Sequence, residues 1–437
     1  MILRGPALKV LLASLIGSAI EWFDFFLYGT AAALVFNKLF FPTADPFISL
    51  LLAYLSFGLP FFIRPLGGVV FAHIGDRIGR KRTLVITLSL MGIGTTLIGL
   101  LPTYQTVGIA APILLVTLRL IQGIGLGGEW GGAVLLAYEF APPEQKGFFG
   151  SVPQAGVTVG MLFSTLFLSA ASLLPDSDRL AWGWRVPFVL SAGLVFLGVW
   201  IRRGIDETPD FRGVQASGRV ARFPMLELVR HYRREVMTAI LVKFGETGSF
   251  YIFAVFLVGY ATKELGYTRL TALTAVASGA LVATVMIPQC GLLSDRIGRR
   301  ATFRIGLTGL ILFVGPYFWL LSQRSTSCIV LASVIAIGLI WPLVTASLST
   351  MLAEMFPPEV RYSGISLGYQ IGGALVGGTA PFVATLLLAS DHGRWRWIAC
   401  YIAAISFISL LAVPRGREQR SNNLQRVDMR NRNPKFR

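Results

Sequence analysis

Long apolar runs, each closed by Pro, Gly or a cluster of charge, recur along the chain about every 36 residues. A helix that crosses a bilayer needs about 20 mostly apolar residues, so this rhythm predicts spanning helices joined by short connectors. Twelve spans are expected, near 10–36, 47–74, 83–102, 108–137, 148–173, 185–203, 236–262, 271–293, 302–321, 327–352, 363–389 and 397–413. One connector, 202–235, is much longer than the rest and divides the chain near its middle. Within it, Phe223–Glu235 predicts an amphipathic helix on the membrane surface. Pro224 suits a first helical position, Met225, Val229 and Tyr232 form the apolar face, and Arg230, Arg233 and Arg234 are the basic residues. The first apolar run continues through Glu21 and Asp24 with no small-residue cleavage site, so it reads as a signal-anchor rather than a removed leader.

Composition sharpens this picture. Hydrophobic residues make up 54% of the 437 and charged ones only 14%, against about 25% charged in soluble domains. A soluble enzyme with one ordinary core is thereby excluded. The formal charge of +17 would suggest nucleic acid until the charges are located. Alternate connectors carry 28 and 8 Lys plus Arg, a bias that places both termini in the cytoplasm and makes membrane lipid, not nucleic acid, the basic surface's partner. Cys290, Cys328 and Cys400 lie in apolar stretches without metal-ligand spacing and read as small hydrophobes.

Three pieces of sequence recur half a chain apart. Asp76-Arg77-Ile78-Gly79-Arg80-Lys81 returns as Asp295-Arg296-Ile297-Gly298-Arg299-Arg300, Glu139 with Pro142-Pro143-Glu144 returns as Glu354 with Pro357-Pro358-Glu359, and Trp182-Gly183-Trp184 returns as Trp395-Arg396-Trp397. The offsets are 219, 215 and 213, and the order is kept. Each pair occupies the same station in two six-helix halves, with the tryptophans as outer interfacial anchors. Duplicated halves with a site between them follow the repeat logic of secondary transporters.

On these motifs the chain resembles the major facilitator superfamily. The Asp-Arg-x-Gly-Arg-Lys/Arg segments and Arg119-Leu-Ile-Gln122-Gly123-x-Gly125 are similar to that superfamily's signatures. Glu21-Trp22-Phe23-Asp24-Phe25, Arg64-Pro65-Leu66-Gly67-Gly68, Gly127-Gly128-Glu129-Trp130-Gly131-Gly132 and Trp182-Gly183-Trp184-Arg185-Val186-Pro187-Phe188 resemble its metabolite:proton symporter group, and Val35-Phe36-Asn37 and Ala111–Arg119 are most similar to that group's shikimate transporters. The resemblance implies uptake of organic acids or osmoprotectant zwitterions. The expected protein is all-α and multi-pass in the cytoplasmic (inner) membrane, with twelve transmembrane helices in two pseudo-symmetric six-helix bundles and both termini cytoplasmic. Its parts are an N-terminal bundle 1–203, a linker 204–235, a C-terminal bundle 236–413 and a basic cytoplasmic tail 414–437.

Seven charges fall inside spans: Glu21, Asp24, Arg64, Arg119, Glu129, Lys243 and Glu246. Each costs about 2.5–3.5 kcal/mol at mid-span, so seven unpaired ones would cost on the order of 20 kcal/mol, more than the ~5–15 kcal/mol holding a typical fold. They must pair, be neutralised or line a wet pathway. Glu21, Asp24 and Tyr28 share one face of helix 1; Tyr54, Phe57, Phe61 and Arg64 share one of helix 2. Arg119 neighbours Gln122, and Lys243 neighbours Glu246. Trp341, Tyr369 and Gln370 are the kinked or polar positions of helices 10 and 11.

Asp24 is the expected proton site. Its protonation would free Arg119 or Arg64 for an anionic substrate, while a static Asp24–Arg119 pair is the competing reading. A guanidinium binds a carboxylate through two parallel hydrogen bonds, which favours Arg64 as the clamp. Lys243 is either a second positive point or a local partner of Glu246. Glu129, amid the Gly123, Gly127 and Gly131 strip, is either a further proton carrier or a buried hydrogen-bond hub; Gly364, Gly368 and Gly372 form a packing strip. The superfamily resemblance further implies a cytoplasmic latch. In it Asp76 and Asp295 accept from neighbouring helix N-termini, and Arg77, Arg80, Arg296 and Arg299 bridge to Glu139 and Glu354.

No metal cluster, Walker loop or nucleophile–base constellation is present in the sequence. The expectation is therefore a monomeric, proton-coupled importer of a small organic acid, not an enzyme, with the proton as coupling ion and no other cofactor. A zwitterion symporter or exporter and a non-transporting receptor are its rivals.

Overall fold

The structure is a computed structural model that describes residues 5–43, 45–171, 175–217, 224–391 and 393–414. Among these residues there is no β-strand. Twelve long helices are labelled in chain order. They are α1 (Gly5–Ala31), α2 (Pro46–Ile78), α3 (Arg80–Leu100), α4 (Ala110–Glu139), α5 (Lys146–Ala171) and α6 (Arg185–Arg203), then α7 (Arg233–Lys263), α8 (Arg269–Ile297), α9 (Arg299–Ser322), α10 (Thr326–Met355), α11 (Arg361–Ser390) and α12 (Arg396–Ala412). Ten have the length and apolarity of a membrane span, and α12 is a shorter apolar helix. Phe62, Phe196, Leu312 and Phe382 point outward, as a lipid-facing belt requires.

The contacts repeat with the duplication. The pairs α1/α5, α2/α4, α3/α6 and α1/α6 recur as α7/α11, α8/α10, α9/α12 and α7/α12, and the halves meet through α5/α8 and α2/α11. A π-helical turn after α1, Ala32–Phe36, recurs inside α7 as Ile252–Phe256, an offset of 220. Glycines permit the closest approaches. A Cβ on Gly156 would sit 2.7 Å from Ser18 Cβ across α1/α5, and one on Gly372 2.7 Å from Lys243 Cβ across α7/α11.

Local physics corrects several expectations. The segments after α2 and α8 are not loops. Each pair of helices is broken only by a glycine, Gly79 (φ 107) or Gly298 (φ 103), in backbone that side chains rarely adopt. A charge cluster reads as a connector in sequence, but here its buried charges find partners on neighbouring helices, which lets the helices run up to the glycine on either side. The linker helix is Pro224–His231, ending before α7. It docks by Pro224 and Leu228 onto α2 and α11, bridging the halves, while Val229 is exposed. Phe223 lies outside the described residues, as does the tail from 415 and, for its side chain, Tyr54. Trp182 and Trp397 are exposed anchors, whereas Trp184 is buried against Phe36 and Phe40.

Candidate functional site

A cavity lies between the halves, with about 450 Å³ of unfilled space, part of it open to solvent. From the first half α1 contributes Trp22, α2 Phe61 and Arg64, and α5 Val157; α7, α10 and α11 supply the rest, including Lys243, Glu246, Trp341, Tyr369 and Gln370. The Arg64 guanidinium lies over the Phe25 and Phe61 rings, 5.1 and 4.8 Å from their centroids. Among the described residues no acid pairs with it, and its Nε has no hydrogen-bond partner.

Opposite it, Lys243 is ion-paired with Glu246 and sits 3.6 Å from the Tyr369 ring centroid. Glu246 also accepts from Thr247 Oγ1 at 2.8 Å and Thr345 Oγ1 at 3.0 Å. Its backbone carbonyl accepts from Trp341 Nε1 at 3.1 Å. The π-helical stretch Val334–Ile340 precedes Pro342 and sets the direction in which Trp341 leaves α10. Tyr369 stacks on Trp130 of α4 at 3.4 Å, which joins the two halves. Gln370 Nε2 donates to the Gly127 carbonyl at 2.9 Å.

A second polar cluster is buried inside the first half. Arg119 donates to Gln122 Oε1 (3.0 Å), Gln122 Nε2 donates to Thr95 Oγ1 (2.6 Å), and Thr95 Oγ1 donates to Asp24 Oδ2 (2.7 Å). All donors in this chain point from the cation toward the carboxylate, the polarity an ionised Asp24 demands. Arg119 also donates to the Phe57 carbonyl and covers the Tyr28 ring at 3.7 Å. Tyr28 in turn bonds Ser56. Asp24 and Arg119 therefore communicate through two side chains instead of forming a direct ion pair, because Thr95 and Gln122 fill the gap between α1 and α4. None of Asp24, Tyr28, Arg119 and Gln122 lines the cavity; Phe57, whose carbonyl accepts from Arg119, meets the ring of Phe25 at 4.7 Å, and Phe25 in turn meets the cavity residue Phe61.

The third cluster holds Glu129, which is fully buried. It is ion-paired with Arg202 of α6 and accepts from Thr87 Oγ1 at 2.6 Å, while Arg202 Nη1 donates to the Leu84 carbonyl at 3.0 Å. This is the geometry of a hydrogen-bond hub. Only a residue as small as Gly17 leaves room for the guanidinium to pass α1. Glu21, buried beside this pair, keeps an unpartnered Oε2 and lies outside the cavity lining.

At one end the halves are clasped twice. Asp76 accepts from Ser363 N (2.9 Å) and Oγ (2.8 Å) at the start of α11. Asp295 accepts from Gly147 N (2.8 Å) and Phe148 N (2.9 Å) at the start of α5. Both carboxylates thus meet a helix N-terminus, where free N–H groups favour negative charge. Arg80 reaches Asp76 (3.3 Å), Glu139 (3.7 Å) and the Pro358 carbonyl (2.9 Å), and Arg299 reaches Asp295 (2.8 Å) and Glu354 (3.3 Å). Arg77 and Arg296 are exposed and make neither bridge; one residue past the aspartate they point about 100° round the helix, away from the partner half.

Residues 14–381 match the profile of the Major Facilitator Superfamily. The chain belongs to that superfamily. It is a multi-pass transporter of the inner membrane and not an enzyme. This facilitator is 40% identical over 408 residues to the shikimate transporter of Escherichia coli, covering 93% of each chain. It is 39% identical to the inner membrane metabolite transport protein YhjE of the same bacterium, over 95% of each. With the E. coli proline/betaine transporter it shares 31%, over 93% of this chain and 83% of the relative. Among solved structures, the proton:xylose symporter XylE bound to 6-bromo-6-deoxy-D-glucose superposes with a TM-score of 0.73 at 15% identity, covering 93% of this chain and 94% of the other. Double-tryptophan mutants of XylE give 0.79 at 16%, covering 96% and 98%.

The facilitator's cavity thus gathers Arg64, Lys243, Glu246, Trp341, Tyr369 and Gln370 from the residues singled out in the sequence. It leaves Glu21, Asp24, Tyr28, Arg119, Gln122 and Glu129 in the helix interiors behind it. Arg202 was missed. It sits at the end of a span, where a cytoplasmic flanking arginine is equally at home, and only the nearby Gly17 hints that a large group passes there. Thr95, Thr87 and Thr345 were missed, as was Gln154 of α5, which accepts from Trp130 Nε1 at 2.7 Å and donates to Thr345 Oγ1 at 3.1 Å, because hydroxyls and amides carry no charge signal.

Proposed function

We propose that this facilitator is a proton-coupled symporter that imports a small organic acid by alternating access. The halves 1–203 and 236–413 rock about the midplane cavity, joined by the linker 204–235, with both termini and the tail 414–437 in the cytoplasm. The observation that carries the reading is the cavity's charge. Arg64 from one half faces Lys243 and Glu246 from the other, two cations against one carboxylate, in a cavity lined largely by aromatic side chains. Such a site is one negative charge short of balance and suits a monoanion whose carboxylate Arg64 holds by two parallel bonds. Identity with the shikimate transporter supports the same substrate class. The 28 to 8 asymmetry of basic residues, 27 to 8 once buried Arg202 is set aside, supports the orientation.

Asp24 is the coupling proton site in this reading. Protonation reverses its end of the Thr95–Gln122–Arg119 chain and loosens the hold on Arg119, which rests on the Tyr28 ring and the Phe57 carbonyl. The clasps of Asp76 and Asp295 hold the cytoplasmic end shut in the state seen here. The test is uptake of shikimate into proteoliposomes under an imposed pH gradient. Asp24→Asn should keep exchange of shikimate across the membrane but lose gradient-driven accumulation; accumulation intact in that variant refutes the assignment. A second reading, a betaine-type zwitterion, is favoured by the aromatic wall of Trp22, Phe250, Trp341 and Tyr369, which suits a quaternary ammonium. Glycine betaine in the same assay decides between them, and a receptor would move neither.

A further inference from the structure

We propose that Glu246 is a second proton-accepting carboxylate, which an anionic substrate empties of its partner by taking Lys243, so that two protons accompany each monoanion. The inference rests on the reading of the protein as a proton-coupled anion importer and adds its stoichiometry. Its basis is the placement of the ion pair. Lys243 and Glu246 both line the cavity and both are buried, at 2% and 4% exposure, so an arriving carboxylate meets the ammonium where Glu246 already holds it.

Arg64 is the other cation that faces the pair, and the substrate occupies it. Within α7, Tyr251 and Thr247 adjoin Glu246. Across the cavity α2 presents Arg64, while α11 presents Tyr369 and α10 Thr345 and Trp341; Glu21 of α1 acts on Tyr369 electrostatically from outside the cavity lining. Helices α9 and α12 approach neighbouring Gly245 through Leu307, Ser406 and Ser409. Arg64 is the clamp for the substrate's own carboxylate and stacks on Phe25 and Phe61. A substrate anion that engages Arg64 and draws Lys243 away leaves Glu246 with two hydroxyl donors and no free counter-charge. An uncompensated carboxylate in such surroundings is far costlier than a protonated one.

The step balances. The N–H···O contact between Lys243 and Glu246 breaks, and Lys243 stays protonated and donates an N–H hydrogen bond to the substrate carboxylate. One H⁺ from the medium to which the cavity is open forms an O–H bond on Glu246. Empty, the cavity holds Arg64⁺, Lys243⁺ and Glu246⁻; loaded, it holds both cations, the substrate anion and neutral Glu246. Its net charge is unchanged. Thr345 and Thr247 serve either state, since a hydroxyl can donate to a carboxylate or accept from a carboxylic acid. With the proton on Asp24, each shikimate monoanion then carries one net positive charge inward.

The experiment uses the full chain in proteoliposomes, with shikimate as probe, at a fixed pH gradient and with the membrane potential set separately. Wild-type accumulation should rise about fifty-fold per 100 mV inside negative, the ~2.3 kcal/mol that one net charge gains. Glu246→Gln should still respond to the pH gradient but lose the response to potential. A wild-type protein driven by pH and indifferent to potential overturns the proposal, and so does Glu246→Gln that keeps the potential response. No accumulation of shikimate under either force would instead refute the anion-import reading itself. A ligand-free arm stands beside these. Lys243→Gln should show an infrared band of a protonated carboxyl at neutral pH that Lys243→Gln/Glu246→Gln lacks; absence of that band in the single variant also overturns the proposal.

Discussion

Replacing Arg202 by Met tests how a charge inside the bundle is maintained. Arg202 is 2% exposed and Glu129 wholly buried, and the pair is completed by Thr87 and the Leu84 carbonyl. Removing the guanidinium strands a carboxylate with one hydroxyl donor and leaves the Leu84 carbonyl without its arginine. Breaking a buried pair on one side costs about 3–5 kcal/mol, mostly the penalty of the orphaned charge. Met fills the same channel beside Gly17, so loss of volume adds little. Replacing both partners by apolar residues, Glu129→Leu with Arg202→Met, removes the orphan and should recover most of the loss, giving a coupling energy of about 3 kcal/mol. Arg203→Met is the control, because that side chain is exposed and its loss should stay within about 0.5 kcal/mol. Equilibrium unfolding in mixed micelles of five proteins, the wild type, the two single variants, the double variant and the control, is the measurement. If Arg202→Met costs no more than Arg203→Met, or if the two single losses simply add, the pair does not hold the bundle as argued.

Two further outcomes follow from the clasps and their glycines. Asp76→Asn removes a carboxylate that accepts twice from Ser363 and pairs with Arg80, a loss of about 1.5–3 kcal/mol of closure. It should speed alkylation of a cysteine placed at cavity residue Ala374 by a polar thiol reagent added from the clasped end about ten- to a hundred-fold; an unchanged rate would show that Asp76 does not hold that end shut. Gly79→Ala should lower unfolding stability by about 1–3 kcal/mol, since φ 107 and ψ 156 is glycine-only backbone, whereas Gly58→Ala, with open space at its Cβ, should be neutral or stabilising. Equal effects of the two alanines in a thermal melt would remove the strain argument.

What the sequence made legible was whatever one helix decides alone or the duplication repeats. Lys243 and Glu246 meet because residues three apart share a face, and so do Arg119 and Gln122. Asp76 and Asp295 find helix N-termini because each precedes a sharp glycine break in the same station of its half. The run of long apolar helices followed from apolar length, ten of them meeting the length and apolarity of a span among the described residues, and the family from motifs that the profile match bears out. Partners across helices were not legible. Arg202 looked like a flank, and the neutral side chains that complete each network gave no signal at all.

Helix α1 shows why a shared face does not mean a shared site. Glu21, Asp24 and Tyr28 lie about one turn apart on one side, but a turn rises 5.4 Å, more than half the 8–10 Å that separates packed helix axes. Each step along that face therefore meets a different crossing. Glu21 lies beside the Glu129–Arg202 pair, Asp24 meets Thr95 of α3, and Tyr28 lies under Arg119 of α4 and bonds Ser56 of α2. Periodicity selects the side of a helix from which charge is hidden from lipid; the tilt and register of its neighbours select which charges reach the substrate. In this transporter that division leaves Arg64, Lys243 and Glu246 in the cavity and the α1 acids one layer behind it, where they can answer to the substrate only through the helices that separate them.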